Sequence, residues 1–132
     1  MEKKNFQKVF GLIGYPLGHS FSKKYFEEKF EKENFSDCRF ELFPLKEISE
    51  FPQLLAAEKN LSGLAVTIPY KEAVIPFLTN LKEAAKEIGE VNCIKFSEGE
   101  TTGYNTNVIG FELSLLPLLK KGHTHALVLG TG

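Results

Sequence analysis

The chain has 132 residues, 42% hydrophobic and 25% charged, with a formal net charge of -1. That length suits one compact domain able to bury roughly two thirds of its unfolded surface. The near-neutral balance argues against nucleic-acid and membrane-surface partners, which call for a basic excess, and leaves a small molecule or another protein. Two cysteines, Cys38 and Cys93, supply neither a disulfide framework nor a Cys-x-x-Cys metal pair, and both read as small buried hydrophobes in strands. The first residues, Met1-Glu-Lys-Lys-Asn-Phe-Gln-Lys, contain no apolar core of signal-peptide length, and no later stretch could span a bilayer. The cytoplasm is the expected compartment.

Strand-like and helix-like segments alternate, which predicts an α/β fold: a mostly parallel sheet with flanking helices. Val9 to Ile13 reads as a first strand, closed by Gly14 and Pro16. Ser22 is placed to cap a helix to about Asn34, in which Tyr25, Phe26, Lys29 and Phe30 give an apolar stripe beside a charged face. Cys38 to Phe43 sets Cys38, Phe40 and Leu42 against Arg39 and Glu41, the alternation of a half-exposed strand. A broken helix follows between Lys46 and Lys59, with Pro52 in the first turn of its second part.

Gly63 to Ile68 is a short apolar strand stopped by Pro69. Leu81, Ala84, Ala85 and Ile88 share one face of a helix that Gly89 ends. Val91 to Phe96 and Glu100 to Tyr104 predict a hairpin about Glu98-Gly99. From Thr106 to about Lys120 the pattern is apolar nearly all round, as in a helix buried between two domains. The chain closes on Ala126-Leu-Val-Leu-Gly-Thr-Gly132, an apolar strand entering a Gly-x-Gly turn. Dinucleotide-binding βαβ units begin in this way, although a last strand of a single-domain sheet fits the motif equally. The apolar helix favours two domains. The expected division is a ligand-binding domain over residues 1–105, an interdomain helix over 106–124, and the first strand of a truncated Rossmann-type domain over 125–132.

Ligands in open α/β sheets bind at the carboxyl ends of the parallel strands, so the polar residues there are the candidates. His19, Ser20 and Ser22 follow the first strand; Thr67 and Lys71 follow the third; Asn92 opens the hairpin, and Asn105, Thr106 and Asn107 close it. Hydroxyls at a helix start suit a carboxylate, and amides with a lysine suit vicinal hydroxyls, so the set fits a small polyhydroxylated acid. Each residue also has a plainer role. Serines cap helices, surface lysines are solvated, asparagines serve turns and helix starts, and His19 fixes its loop rather than catalysing. His123 and His125 would share a strand face but lack a third ligand, so no metal is expected.

Four ordered segments carry a resemblance. Gly14-Tyr-Pro-Leu-Gly-His-Ser-Phe-Ser22, Gly63-Leu-Ala-Val-Thr-Ile-Pro-Tyr-Lys71, Gly89-Glu-Val-Asn92 and Gly103-Tyr-Asn-Thr-Asn-Val-Ile-Gly110 resemble the motifs of shikimate dehydrogenase in order and spacing. The resemblance implies an N-terminal domain that binds shikimate and a C-terminal Rossmann domain that binds NADP. The implied reaction is reversible reduction of 3-dehydroshikimate to shikimate, in the biosynthesis of chorismate and the aromatic amino acids. It places the substrate carboxylate on Ser20 and Ser22, and the ring hydroxyls on Thr67, Lys71, Asn92 and Asn107. Lys71 is the implied acid/base with position 107 as its partner. Glu83 would lie near the nicotinamide, and Gly130, Thr131 and Gly132 would open the cofactor loop. The implied assembly is a monomer or homodimer.

The motifs depart from the family at four positions. Asn107 stands where the family has Asp, Ala65 where Asn is usual, Cys93 where Thr is usual and Lys23 where Pro is usual. An amide at 107 can still bond a hydroxyl, but it carries no charge and takes no proton. Loss of one acid/base partner typically reduces rate by about 10²–10⁴. A quinate/shikimate-type paralogue and a non-catalytic module that binds a small acid are therefore the alternative readings.

Overall fold

The computed structural model describes residues 7–18 and 20–130. Its sheet has six strands in the order β2-β1-β3-β5-β6-β4. These are β1 (Lys8–Gly14), β2 (Cys38–Pro44), β3 (Leu61–Val66), β4 (Asn80–Leu81), β5 (Cys93–Ser97) and β6 (Glu100–Tyr104). Three of the five pairings are parallel, and the two made by β5 are antiparallel. The fold is thus α/β with a mixed, mostly parallel sheet.

Register explains the two apolar layers. Phe10 lies opposite Phe40 across β1 and β2, and both meet α1 (Phe21–Lys32) through Phe30 and Phe26 at ring separations of 5.7 and 4.8 Å. On the other face, Ile13 lies beside Val66 and Leu64 beside Ile94. These four join the main core with Phe51, Tyr70, Val74, Ala85 and Val91. Val9 to Gly14 reads as a continuous apolar run because both of its faces are covered.

Several boundaries differ from expectation for identifiable reasons. The first helix starts at Phe21 with Ser20 in the cap position, so Ser22 lies inside the first turn, and neither serine makes the capping bond. That helix ends at Lys32, and Asn34 turns the chain with φ 58. The broken helix takes the form of a 3-10 turn (Ile48–Glu50) running into α2 (Phe51–Ala57), with Pro52 at its start. Leu81 shares the helical spacing but instead pairs with Gly103 in β4, and α3 covers only Glu83–Ile88 before Gly89 ends it at φ 74. The hairpin turns through Glu98 and Gly99, both at positive φ, the geometry that a two-residue turn needs to match strand twist.

The last helix, α4 (Thr106–Leu115), stops earlier than expected and passes into a 3-10 turn over Leu116–Leu118. Pro117 lacks the N–H that an α-helix would use there. No residue of α4 is buried; Phe111 and Leu113 are each about two thirds exposed. The strand expected over Ala126 to Leu129 is not formed. A strand needs a ladder partner, no strand of the described residues runs beside it, and Leu127, Val128 and Leu129 are all more than 80% exposed. His123 and His125 therefore share no strand face; His123 accepts from the Lys120 N–H within a turn.

Candidate substrate site

The sheet brings the candidate residues to one edge. Thr67 leaves β3 with its N–H bonded to the Ile13 carbonyl, while the Val66 N–H donates to the Asn92 carbonyl at 2.8 Å. Because β5 runs antiparallel to β3, Asn92 at its start meets the end of β3. The Asn92 N–H then donates to the Tyr104 carbonyl at the end of β6, from which α4 departs.

The first cluster surrounds the start of α1. A cavity of about 280 Å³ is lined by Leu12, Pro16, Leu17, Ser20, Ser22 and Thr67, among others. Ser20 Oγ is buried there and has no hydrogen-bond partner among the described residues. A buried hydroxyl left unpaired is unfavourable and calls for an explanation, which a bound acceptor provides. The first turn of α1 holds no acidic residue, so its positive dipole end is left for an anion. Gly14 makes room at this place, since a Cβ on it would lie 2.5 Å from Thr67 Cγ2 and 3.0 Å from the Ile68 carbonyl oxygen. His19 lies outside the described residues.

A second cluster sits at the start of α4. Asn92 Nδ2 donates to Thr106 Oγ1 at 2.8 Å and to Asn107 Oδ1 at 3.0 Å, while Asn92 Oδ1 accepts the Thr106 N–H at 2.9 Å. Asn92 thus serves a helix start from across the hairpin and holds Asn107 at the same time. The cap itself is Asn105, almost wholly buried. Its side chain accepts from the Val108 N–H and donates to the Glu90 carbonyl. The Asn105-to-Val108 spacing was the available signal for that cap, and asparagine is among the preferred cap residues.

Lys71 lies between the clusters in sequence. The Tyr70 N–H bonds back to the Thr67 carbonyl, and Tyr70 Oη donates to the Leu45 carbonyl at 2.5 Å. The Lys71 carbonyl accepts from the Val91 N–H at 2.8 Å, which pins the lysine backbone one residue away from Asn92. Its half-exposed side chain lines a groove with Ile68, Pro69, Glu72 and Glu90. Glu83 stands apart, exposed at the start of α3. Gly130 takes φ +107, open to solvent, while Thr131 and Gly132 lie outside the described residues.

Residues 12–94 match the family of shikimate dehydrogenase substrate binding domains, over more than half of the chain. The chain belongs to the shikimate dehydrogenase family. It is 44% identical over 111 residues to the NADP(+) shikimate dehydrogenase of Carboxydothermus hydrogenoformans, covering 82% of this chain and 39% of that protein. The crystal structure of shikimate dehydrogenase from Aquifex aeolicus superposes with a TM-score of 0.74 at 34% identity, over 85% of this chain and 42% of that one. The Thermus thermophilus enzyme in complex with NADP(H) and shikimate gives 0.73 at 27% identity, over 83% and 41%. The chain spans less than half the length of these relatives.

Within the shikimate dehydrogenase family the four departures now have addresses. Ala65 pairs with Leu12 on one side and Cys93 on the other, so two of them are neighbours in the sheet beside the cavity wall. Burial pushes the Cys93 thiol up from its ordinary pKa, as expected of an apolar setting. Lys23 reaches Glu41 on β2 at 3.3 Å and Glu27 at 3.7 Å, tying α1 to the sheet where a proline could form no ion pair. Asn107 lies at the second position of α4, exposed and held by Asn92.

Proposed function

We propose that this chain is the substrate-binding part of an NADP-dependent shikimate dehydrogenase. The observation that carries the reading is the buried, unpartnered hydroxyl of Ser20, a residue that lines a cavity at the carboxyl ends of β1 and β3. In this reading Ser20 and Ser22 hold the substrate carboxylate beside the start of α1. Thr67, Lys71, Asn92 and Asn107 hold the ring hydroxyls. The division into residues 1–105, 106–124 and 125–132 belongs to the same proposal, and so does a cytoplasmic location. Among the described residues no helix is long and apolar enough to cross a membrane. The assembly is a monomer or homodimer, which sedimentation distinguishes.

The few described residues assigned to the cofactor are compatible with it. Gly130 adopts a backbone that side chains rarely allow, as a phosphate-cradling turn requires. Gly130, Thr131 and Gly132 would hold the phosphates, with Glu83 near the nicotinamide. When bound, NADP(H) supplies or takes up the hydride. Lys71 gives a proton from its ammonium to the ring oxygen that becomes a hydroxyl, and recovers it in the reverse direction. Asn107 orients that oxygen without exchanging a proton, because an amide has no acid/base capacity at neutral pH.

Titration calorimetry of shikimate and quinate into the chain tests the binding half, with shikimate expected to bind more tightly. No heat from either acid would remove the proposal. For a protein that also carries the nucleotide-binding half, Lys71→Ala should lower turnover by about 10²–10⁴ while shikimate still binds. Binding with no NADPH-dependent reduction of 3-dehydroshikimate, even at high enzyme concentration, would instead favour a non-catalytic acid-binding module.

A further inference from the structure

The amide at Asn107 has a defined orientation, and the reason begins one residue earlier. A backbone N–H can only donate, and that of Thr106 donates to the side chain of Asn92 at 2.9 Å. Asn92 must therefore present its oxygen to Thr106, which turns its NH2 group toward Thr106 Oγ1 and Asn107. Both Asn92 hydrogens are engaged there, so Asn107 must meet Asn92 with Oδ1. The Asn107 NH2 is left on the far side of the amide, and no hydrogen bond from it is formed among the described residues. A carboxylate at this position would present an oxygen in the same place. Asparagine keeps the shape and inverts the polarity.

We propose that Asn92 locks Asn107 with its NH2 toward the ligand, so that the site prefers an acid with a ring carbonyl at that place over one with a hydroxyl. This deepens the function proposed above and rests on it. As an ammonium Lys71 offers only donors, and in the function proposed above it shares one ring oxygen of the ligand with Asn107. A hydroxyl between two donors can accept, but its own hydrogen finds no acceptor in either group. A carbonyl oxygen accepts from both and has no hydrogen to satisfy. The ligand class is therefore the oxidised member of the ketone–alcohol pair, and Asn92, beyond its own contact with the ring, sets the direction of Asn107.

The test is a pair of calorimetric titrations, 3-dehydroshikimate and shikimate, into the chain, Asn107→Asp and Asn92→Ala, each checked for folding by its melting curve. The unaltered chain should favour the ketone. Asn107→Asp should shift the affinity ratio toward the alcohol by about ten-fold or more, the effect of giving the hydroxyl hydrogen a charged acceptor. Asn92→Ala should shift it in the same direction by less, because Asn107 is then free to turn its oxygen to the ligand. A loss of helix capping, or of the contact of Asn92 itself with a ring hydroxyl that both acids carry, would weaken both acids equally and leave the ratio unmoved. Two acids that bind with the same ratio in all three proteins overturn the polarity argument alone. Failure of both acids to bind any version overturns the proposed function together with it.

Discussion

At the start of α1 a buried hydroxyl has no protein partner among the described residues, while at the start of α4 the side chains of Asn92 and Asn105 are engaged by the protein itself. Both regions are loop-to-helix junctions at the same sheet edge, and both are rich in small polar side chains. Polarity at a strand end therefore does not by itself separate a binding residue from a structural one; the separation lies in which groups are left unsatisfied. On that measure Ser20 is the residue proposed to meet the ligand, whereas Asn105 holds the fold together and Asn92 sets the direction of its neighbour.

The contrast can be broken by exchanging which property each change affects. Asn105→Ala should have the largest effect, a loss of about 2–3 kcal/mol in urea unfolding, because it removes a cap and leaves the Glu90 carbonyl unpaired. A loss below about 0.5 kcal/mol would mean that the α4 junction is not structural. Ser20→Ala should weaken shikimate binding by about 10- to 100-fold, as befits a hydrogen bond to a charged group. Its melting temperature should stay level or rise, since an unpaired buried hydroxyl is gone; a clear fall would reveal a structural serine.

Gly14→Ala sharpens the same contrast more gently. Its new methyl would collide with Thr67 and should reduce both binding and stability by about 1–2 kcal/mol. Gly122→Ala is the control, for nothing lies within 4 Å of the added carbon and the residue is not part of the cavity lining. Cys93 gives the smallest effect. Its thiol holds its proton to higher pH when folded than when unfolded, so folding stability declines as pH rises past the ordinary thiol value. Alkylation at mildly alkaline pH should be slower than for an unfolded chain, and equal rates would mean that burial there is not sustained.

Much of the fold was legible because its signals are local. The strand over Cys38 to Phe43, the Gly89 stop and the Glu98-Gly99 turn each depend on a few neighbouring residues, and each appears where expected. Leu81 misled because its spacing fits a helix while its hydrogen-bonding partner, Gly103, is 22 residues away. The run from Ala126 to Leu129 reads as a strand by composition, yet a strand is completed only by a neighbour. The capping role given to Ser22 failed for a related reason: helix starts are set by backbone geometry, and that geometry put Ser20 in the cap position without using its hydroxyl for the cap.

The sequence by itself determined most of the element order, the four ordered motifs and the residue at position 107, since these depend on residue type and spacing alone. Only the tertiary structure decided which polar groups are satisfied. Asn92 and Asn107 are 15 residues apart, and no spacing rule states which atom of one amide faces the other. The antiparallel turn of β5 and β6 brings them together, and the Thr106 N–H then fixes the direction of both amides, because a donor must find an acceptor.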